Sequence, residues 1–441
     1  MKKRIMALLL ATGMLVSGLA GCSSKPEGQS SSSGESKGDV VLTIGTNQTG
    51  TNVENLTEMG EKFKEETGIG IDIQVNPDDQ WRDLLKTKLQ AGEAPDIFLI
   101  DADPMSINDR IRPEENCIDF TNEEWVGRMD ENMLPSVSYK DKVYGMTFAV
   151  PKRWVFHYNK ELFEQAGIEA VPTTYEELKE ACAKIAEKTD AIPIFEATQN
   201  AWHQTLPLFE AGGYMLESDS DLYKKLNENQ MKLSDIPLLR TIIEQTKELA
   251  DLGYYGADFL SESVDNAKEK MGTNKTAMYV GYVGWGLEVI EDYPEQKDNI
   301  GIFMMPYGDA DVIGTNPANP SFFANKNSDH AQEAKKFFEF MTRQDILDWS
   351  FNEINTGQID FCWDVNAKEE RLPKEWKDYL DQAKTGTVMQ YEVKYVDSQW
   401  MDIGKDLEAL YTGAMSVDEV LQTMDGRRAE QAKLQGDEYW K

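Results

Sequence analysis

Cysteine and histidine are scarce in this chain. The four cysteines, Cys22, Cys117, Cys182 and Cys362, show no CxxC or metal-ligand spacing, so neither a disulfide framework nor a thiolate metal site is encoded. Cys182 falls at an apolar helix position beside Leu178, Ala181 and Ile185, which reads as a buried thiol rather than a nucleophile. The three histidines, His157, His203 and His330, are far apart and make no HExxH pattern, and there is no GxSxG elbow or P-loop. Gly281, Gly284 and Gly286 follow a GxxGxG order that is not the dinucleotide fingerprint and reads as a cleft turn. Asp309 and Asp311 lack the regular oxygen ligands of an EF-hand and read as a solvated turn. No catalytic residue, cofactor or metal is therefore expected. Carboxylate pairs for glycoside hydrolysis stay open, because their spacing is spatial rather than sequential. Basic residues are also outnumbered, 45 against 78 acidic, for a net charge of −33. That disfavours non-specific attraction to nucleic acid or anionic lipid.

What is present is a chain of 441 residues, 40% apolar and 10% aromatic, the composition of a globular protein with two or three domains. Lys2, Lys3 and Arg4 precede an apolar run over residues 5–19 that is broken by Thr12, Gly13, Ser17 and Gly18. The run is too short and interrupted for a spanning helix and reads as a secretory signal. It ends in Leu19-Ala20-Gly21-Cys22, which resembles the lipobox of bacterial lipoproteins. The resemblance implies cleavage after residue 21 and acylation of Cys22, palmitate-type chains anchoring the protein outside the cytoplasm at the bacterial cell membrane. Residues 23–38 hold seven serines and no aliphatic or aromatic side chain, so residues 22–38 read as a flexible tether.

Beyond the tether the periodicity predicts strand, helix, strand, helix, strand. Val40 to Gly45 opens it, Leu56, Met59 and Phe63 fall at helical spacing, and Gly68 stops that helix. Ile69, Ile71, Ile73 and Val75 alternate with polar neighbours, a strand signature. Trp81, Leu84, Leu85 and Leu89 form a second helical stripe ending at Gly92, and residues 96–100 are a short buried strand. The alternation predicts βαβ units and a mostly parallel sheet, with ligand at the carboxyl ends of its strands. A second α/β region begins near Pro151: Thr174 and Glu177 have capping-box spacing, residues 191–195, 277–280 and 300–305 read as strands, and Ser416 with Glu419 caps a late helix.

Four stretches together resemble the bacterial family 1 extracellular solute-binding proteins, the maltose-binding-protein-like sugar-binding lipoproteins of ABC importers. They are residues 63–68 (FKEETG) with 90–98 (QAGEAPDIF); Tyr144-Gly145 with 158–178 (YNKELFEQAGIEAVPTTYEEL); 275–285 (KTAMYVGYVGW) with 301–306; and 321–342 with 356–359. The resemblance implies an α/β fold of type II, two discontinuous lobes joined by a hinge that the chain crosses more than once. Lobe 1 would be residues 39–150 and 306–354, and lobe 2 residues 151–305 and 355–441. It also implies a monomer that captures a carbohydrate of oligosaccharide size and hands it to the transmembrane subunits of an ABC permease. A cell-surface glycoside hydrolase and an adhesin-type lipoprotein are the alternatives.

A sugar presents flat C–H patches and a rim of hydroxyls, so its site needs aromatic faces and fixed polar groups. Trp285, after the turn of Gly281 and Gly284, matches the family's stacking tryptophan, and Trp400 matches another position where an aromatic meets sugar. Trp202, among Gln199, Asn200 and His203, and Trp363, after the last hinge-like segment, are further candidates. The loop after the first strand offers Asn47, Gln48, Thr49 and Asn52, and the end of the third offers Asp101 and Asp103, carboxylates able to accept from sugar hydroxyls. Lys152 and Arg153 read first as hinge cations and second as partners for an acidic sugar. Ile100 stands where maltodextrin-type members tend to carry an aromatic.

Overall fold

The computed structural model describes residues 40–441, apart from 104–106, 132, 317, 356–358 and 360 and the side chain of Asp79. The signal, the tether and Cys22 lie outside the described residues. Among the described residues no helix is long and apolar enough to cross a membrane.

The first strands and helices follow the expected alternation. β1 (Val41–Asn47) leads to α1 (Val53–Thr67), β2 (Gly70–Asn76), α2 (Asp78–Ala91), β3 (Ile97–Ala102) and the short α3 (Ile107–Ile111). Asn52 caps α1 by accepting from the Asn55 amide, and Gly68 (φ 77°) and Gly92 (φ 73°) end α1 and α2 in the left-handed region, where a side chain would be strained. A two-stranded ribbon, β4 (Ser138–Tyr139) and β5 (Lys142–Val143), precedes β6 (Gly145–Met146). The chain then enters the second lobe through β7 (Lys152–Asn159) and continues through β8 (Ile192–Ile194), β9 (Thr276–Tyr282), β10 (Ile300–Phe303) and β11 (Val312–Asn316). β12 (Asn319–Ala324) lies in the first lobe and β13 (Lys384–Thr387) in the second.

The first sheet has the order β2-β1-β3-β12-β6 and the second β13-β11-β7-β9-β8, with β10 also paired to β7. β1 runs parallel to β2 and β3, but β12 is antiparallel to both β3 and β6. The expected mostly parallel sheet is thus half antiparallel, because β12 arrives from the other lobe rather than through a local βαβ crossover. β7 organises the second sheet, antiparallel to β9, β10 and β11. It carries no alternation a sequence reader could use, because residues 154–157 are all buried.

Sheet membership locates the connections between the two sheets. Tyr307 packs in the second lobe's core and β11 pairs with β7, and β12, from Asn319, pairs in the first sheet. Phe361 and Trp363 bridge to Ala149 and Met129 of the first lobe.

The first lobe buries one aromatic-rich core, where Phe63 meets Phe337 at 5.0 Å and Phe120 stacks on Phe338 at 4.7 Å. The helix Tyr175–Lys188 is capped by Thr174, whose side chain accepts from the Glu177 amide, while the Glu177 carboxylate bonds Thr173, so the box is only half formed. Ser416 and Glu419 form the reciprocal box in full. Cys117, Cys182 and Cys362 are buried, and burial pushes the pKa of Cys117 and Cys182 far up, in keeping with the packing reading of Cys182.

Gly281 and Gly286 serve packing, in place of the expected cleft turn. A Cβ on Gly286 would lie 2.5 Å from the Trp376 ring and 2.6 Å from His157 Nδ1. Gly286→Ala is therefore expected to lose about 1–3 kcal/mol to overpacking, measured as a lowered denaturation midpoint at unchanged m-value.

Candidate functional site

A cavity of about 560 Å³ opens between the lobes. The first lobe contributes the turn after β1 (residues 49–52) and Asn55 on α1; the crossing contributes Phe148, Lys152 and Arg153; the second lobe contributes Tyr282 at the end of β9, Gly284 in the turn after it and Glu288 on the helix Trp285–Asp292. Strand ends and helix starts converge here, as the topology of open α/β sheets dictates.

The turn after β1 is held from beneath. Asp78 Oδ1 accepts from Asn47 Nδ2 at 2.7 Å and from the Thr49 amide and hydroxyl at 3.0 Å each. Asn47 is thus a structural tie, and neither it nor the exposed Gln48 lines the cavity. Thr49 and the residues to Asn52 do so instead, Asn52 also serving as the cap of α1.

On the opposite wall the Tyr282 hydroxyl donates to Glu288, while Lys268 stands 3.8 Å from the same carboxylate. Burial raises the Glu288 pKa against the pull of those two partners. Lys152 Nζ lies 5.7 Å over the Tyr282 ring. Burial lowers its pKa, opposed by the charges of Asp101 and Glu288. Burial likewise lowers that of Arg153.

From Tyr282 a row of aromatic rings runs along the second lobe. Trp154 on β7 meets Tyr282 edge-on at 5.9 Å and Trp202 at 5.7 Å, and Trp202 meets Trp400 at 6.2 Å. The Trp400 indole is fixed by a 2.6 Å bond to Thr205 Oγ1. The indole nitrogens of Trp154 and Trp202 have no partner among the described residues; Trp154 also borders a small closed hollow shared with Glu210. Trp202 and Trp400, two of the candidate tryptophans, thus lie side by side. Trp154 and Tyr282 are additions: Tyr282 sat unrecognised inside the quoted segment 275–285, and Trp154 beside Arg153.

Trp285 is not on the cavity wall. Its ring is 7% exposed and packs on Tyr279 at 4.5 Å and His157 at 5.1 Å, under the turn whose Gly284 lines the cavity. Trp363 belongs to the first lobe's core: its Nε1 donates to the Thr147 carbonyl at 2.7 Å and its ring neighbours Trp125. It borders a different hollow, with Arg128 and Arg371.

Asp101 and Asp103 are engaged by arginines. Arg82 on α2 reaches Asp101 at 3.5 Å and Asp397 of the second lobe at 3.3 Å. Arg110 on α3 contacts Asp397 and lies 3.6 Å from Asp103. The Arg110 pKa is lowered to about 10, first by burial and then by Arg82, with Asp103 and Asp101 opposing. No local sequence signal marks Arg82 and Asp397 as partners. Among the described residues no group of three His, Cys, Asp or Glu could hold a metal.

Behind Trp202, His203 is wedged between Glu196 Oε1 at 2.5 Å and the Val280 carbonyl at 2.9 Å. Burial opposes its charge, but the Glu196 carboxylate outweighs burial and the pKa rises above 6.5. A raised histidine pKa adds stability that is complete below the unfolded value, about 6.5, and is lost as pH rises through the folded one. His203→Gln is therefore expected to lower the melting temperature more at pH 5.5 than at pH 9; an equal loss at both would contradict the charged pair.

The family model for bacterial extracellular solute-binding proteins matches residues 49–346. The diacetylchitobiose binding protein DasA of Streptomyces coelicolor is 25% identical over 316 residues, covering 70% of this chain and 71% of that protein. Among solved structures, a Bacillus licheniformis sugar transporter in complex with stachyose superposes with a TM-score of 0.70 at 23% identity, over 88% of this chain and 99% of its own. A chitin oligosaccharide binding protein gives 0.73 at 19%, over 89% and 99%. With the family match spanning most of the folded body and the two-lobe type II architecture shared throughout, this chain belongs to the bacterial extracellular solute-binding proteins.

Proposed function

We propose that this protein is the substrate-binding component of an ABC importer, lipid-anchored through Cys22, that captures an oligosaccharide between its lobes and delivers it unchanged to the permease. The interlobe cavity carries this reading. It pairs an aromatic side chain, Tyr282, backed by Trp154, with hydroxyl and amide groups at Thr49, Thr51, Asn52 and Asn55 and with charged groups at Lys152 and Arg153. That is the combination of C–H stacking surface and polar rim that a carbohydrate requires. Relatives and fold neighbours that bind diacetylchitobiose, stachyose and chitin oligosaccharide support the same class.

Closure of two lobes on a solute creates a shape distinct from the empty receptor, which a permease can read. The acidic surface does not hinder an uncharged ligand, and the lining Glu288, Glu291 and Asp292 weigh against an acidic one. The rival reading is a glycoside hydrolase, favoured by the raised pKa of Glu288, a property its general acid would need.

Isothermal titration with neutral and uronate-containing sugars of one to four units separates these. The expected result is saturable one-to-one binding of a neutral oligosaccharide, no released product on prolonged incubation, and about tenfold or greater weakening in Tyr282→Ala. Turnover would establish the hydrolase instead, and absence of binding to every sugar would remove the carbohydrate reading.

A further inference from the structure

We propose that Arg82 sets the length of ligand the cleft accepts, by covering the face of Trp400 on which a further sugar ring would stack. The proposal rests on the carbohydrate-binding reading above.

The Arg82 guanidinium lies 5.2 Å from the centroid of the Trp400 ring. A planar cation on an indole face is favourable in its own right, and it takes the surface that a sugar's C–H patch would use. The indole has little else to offer. It packs against the second lobe's core and meets Trp202 edge-on, and the Thr205 bond holds its orientation.

Arg82 is no loose surface side chain. One nitrogen is 3.5 Å from Asp101 of its own lobe, and another is 3.3 Å from both the carboxylate and the backbone carbonyl of Asp397 in the opposite lobe. Arg110 stands behind it and secures both of those partners, contacting the Asp397 carboxylate and donating to the Asp101 carbonyl. Gln390 Nε2 holds the remaining Asp397 oxygen at 2.8 Å. Three carboxylates, Asp101, Asp103 and Asp397, thus face two guanidinium groups at the seam. Asp397 is 5% and Arg110 9% exposed, so the attraction is weakly screened by solvent.

The position of this clasp gives it consequence. The open cavity reaches Tyr282 and stops short of Trp202 and Trp400, although the aromatic row continues to both. A sugar seated at Tyr282 therefore ends before Trp400, and a longer one that follows the aromatic row meets Arg82 there, held on Trp400 and between its two carboxylates.

The test compares wild type with Arg82→Ala by titration calorimetry, using pairs that differ by one unit: raffinose with stachyose, and the two- and three-unit chitin oligosaccharides. In wild type the longer member is expected to bind no more tightly than the shorter. In Arg82→Ala the ratio of longer to shorter affinity is expected to rise at least tenfold. Arg82→Lys, which keeps the charge between Asp101 and Asp397 without the planar stack, is expected to give a smaller rise. Melting curves check folding, and Arg82→Gln provides a second variant that retains a polar side chain on α2. An unchanged ratio in both the Ala and Gln variants overturns the role of Arg82 while leaving carbohydrate binding intact. Failure of wild type and variants alike to bind any member removes the underlying reading as well.

Discussion

Apolar burial in this protein is completed inside each lobe, and the seam between them is left to charge. The large clusters divide cleanly: residues such as Phe63, Phe98 and Phe338 close the first lobe, and Phe156, Phe209 and Phe303 the second. Across the seam Arg82 and Arg110 meet Asp397, and Arg82 also lies over Trp400. Parting such a surface re-exposes polar groups that water can solvate, whereas parting a hydrophobic core would forfeit its burial. Each lobe can therefore behave as a rigid body while the joint stays adjustable, which capture and release of a solute demand.

The same division explains the chemistry of the site. Its polar groups come in part from a turn that the first lobe's own bonds hold in place, as Asp78 holds Thr49. Its aromatic surface is the exposed margin of the second lobe's core, so ring positions are set by packing rather than by ligand. A site prepared in this way pays little ordering entropy on binding.

Much of this was legible along the chain. The caps at Asn52, Gly68, Gly92 and Ser416 are local chemistry, and the strand of residues 70–76 shows its alternation because one face meets solvent. The two-lobe architecture was legible through resemblance of ordered motifs. The strand β7 was not, since residues 154–157 are buried on both faces and periodicity vanishes when every position is apolar. The depth of each tryptophan was not legible for a related reason: Trp285 beside a glycine-rich turn reads the same whether the ring lies on a wall or beneath it.

Local pattern was sufficient for the type of the first elements and for helix ends, because each depends on neighbours within a few residues. The wall of the cleft depended on separations no local pattern spans. Arg82 and Asp397 are 315 positions apart, and Trp285, at the start of its helix, is packed against His157 of β7. Which side chains face the ligand is decided by how two sheets stack their layers and exchange strands, and that is a property of the assembled chain.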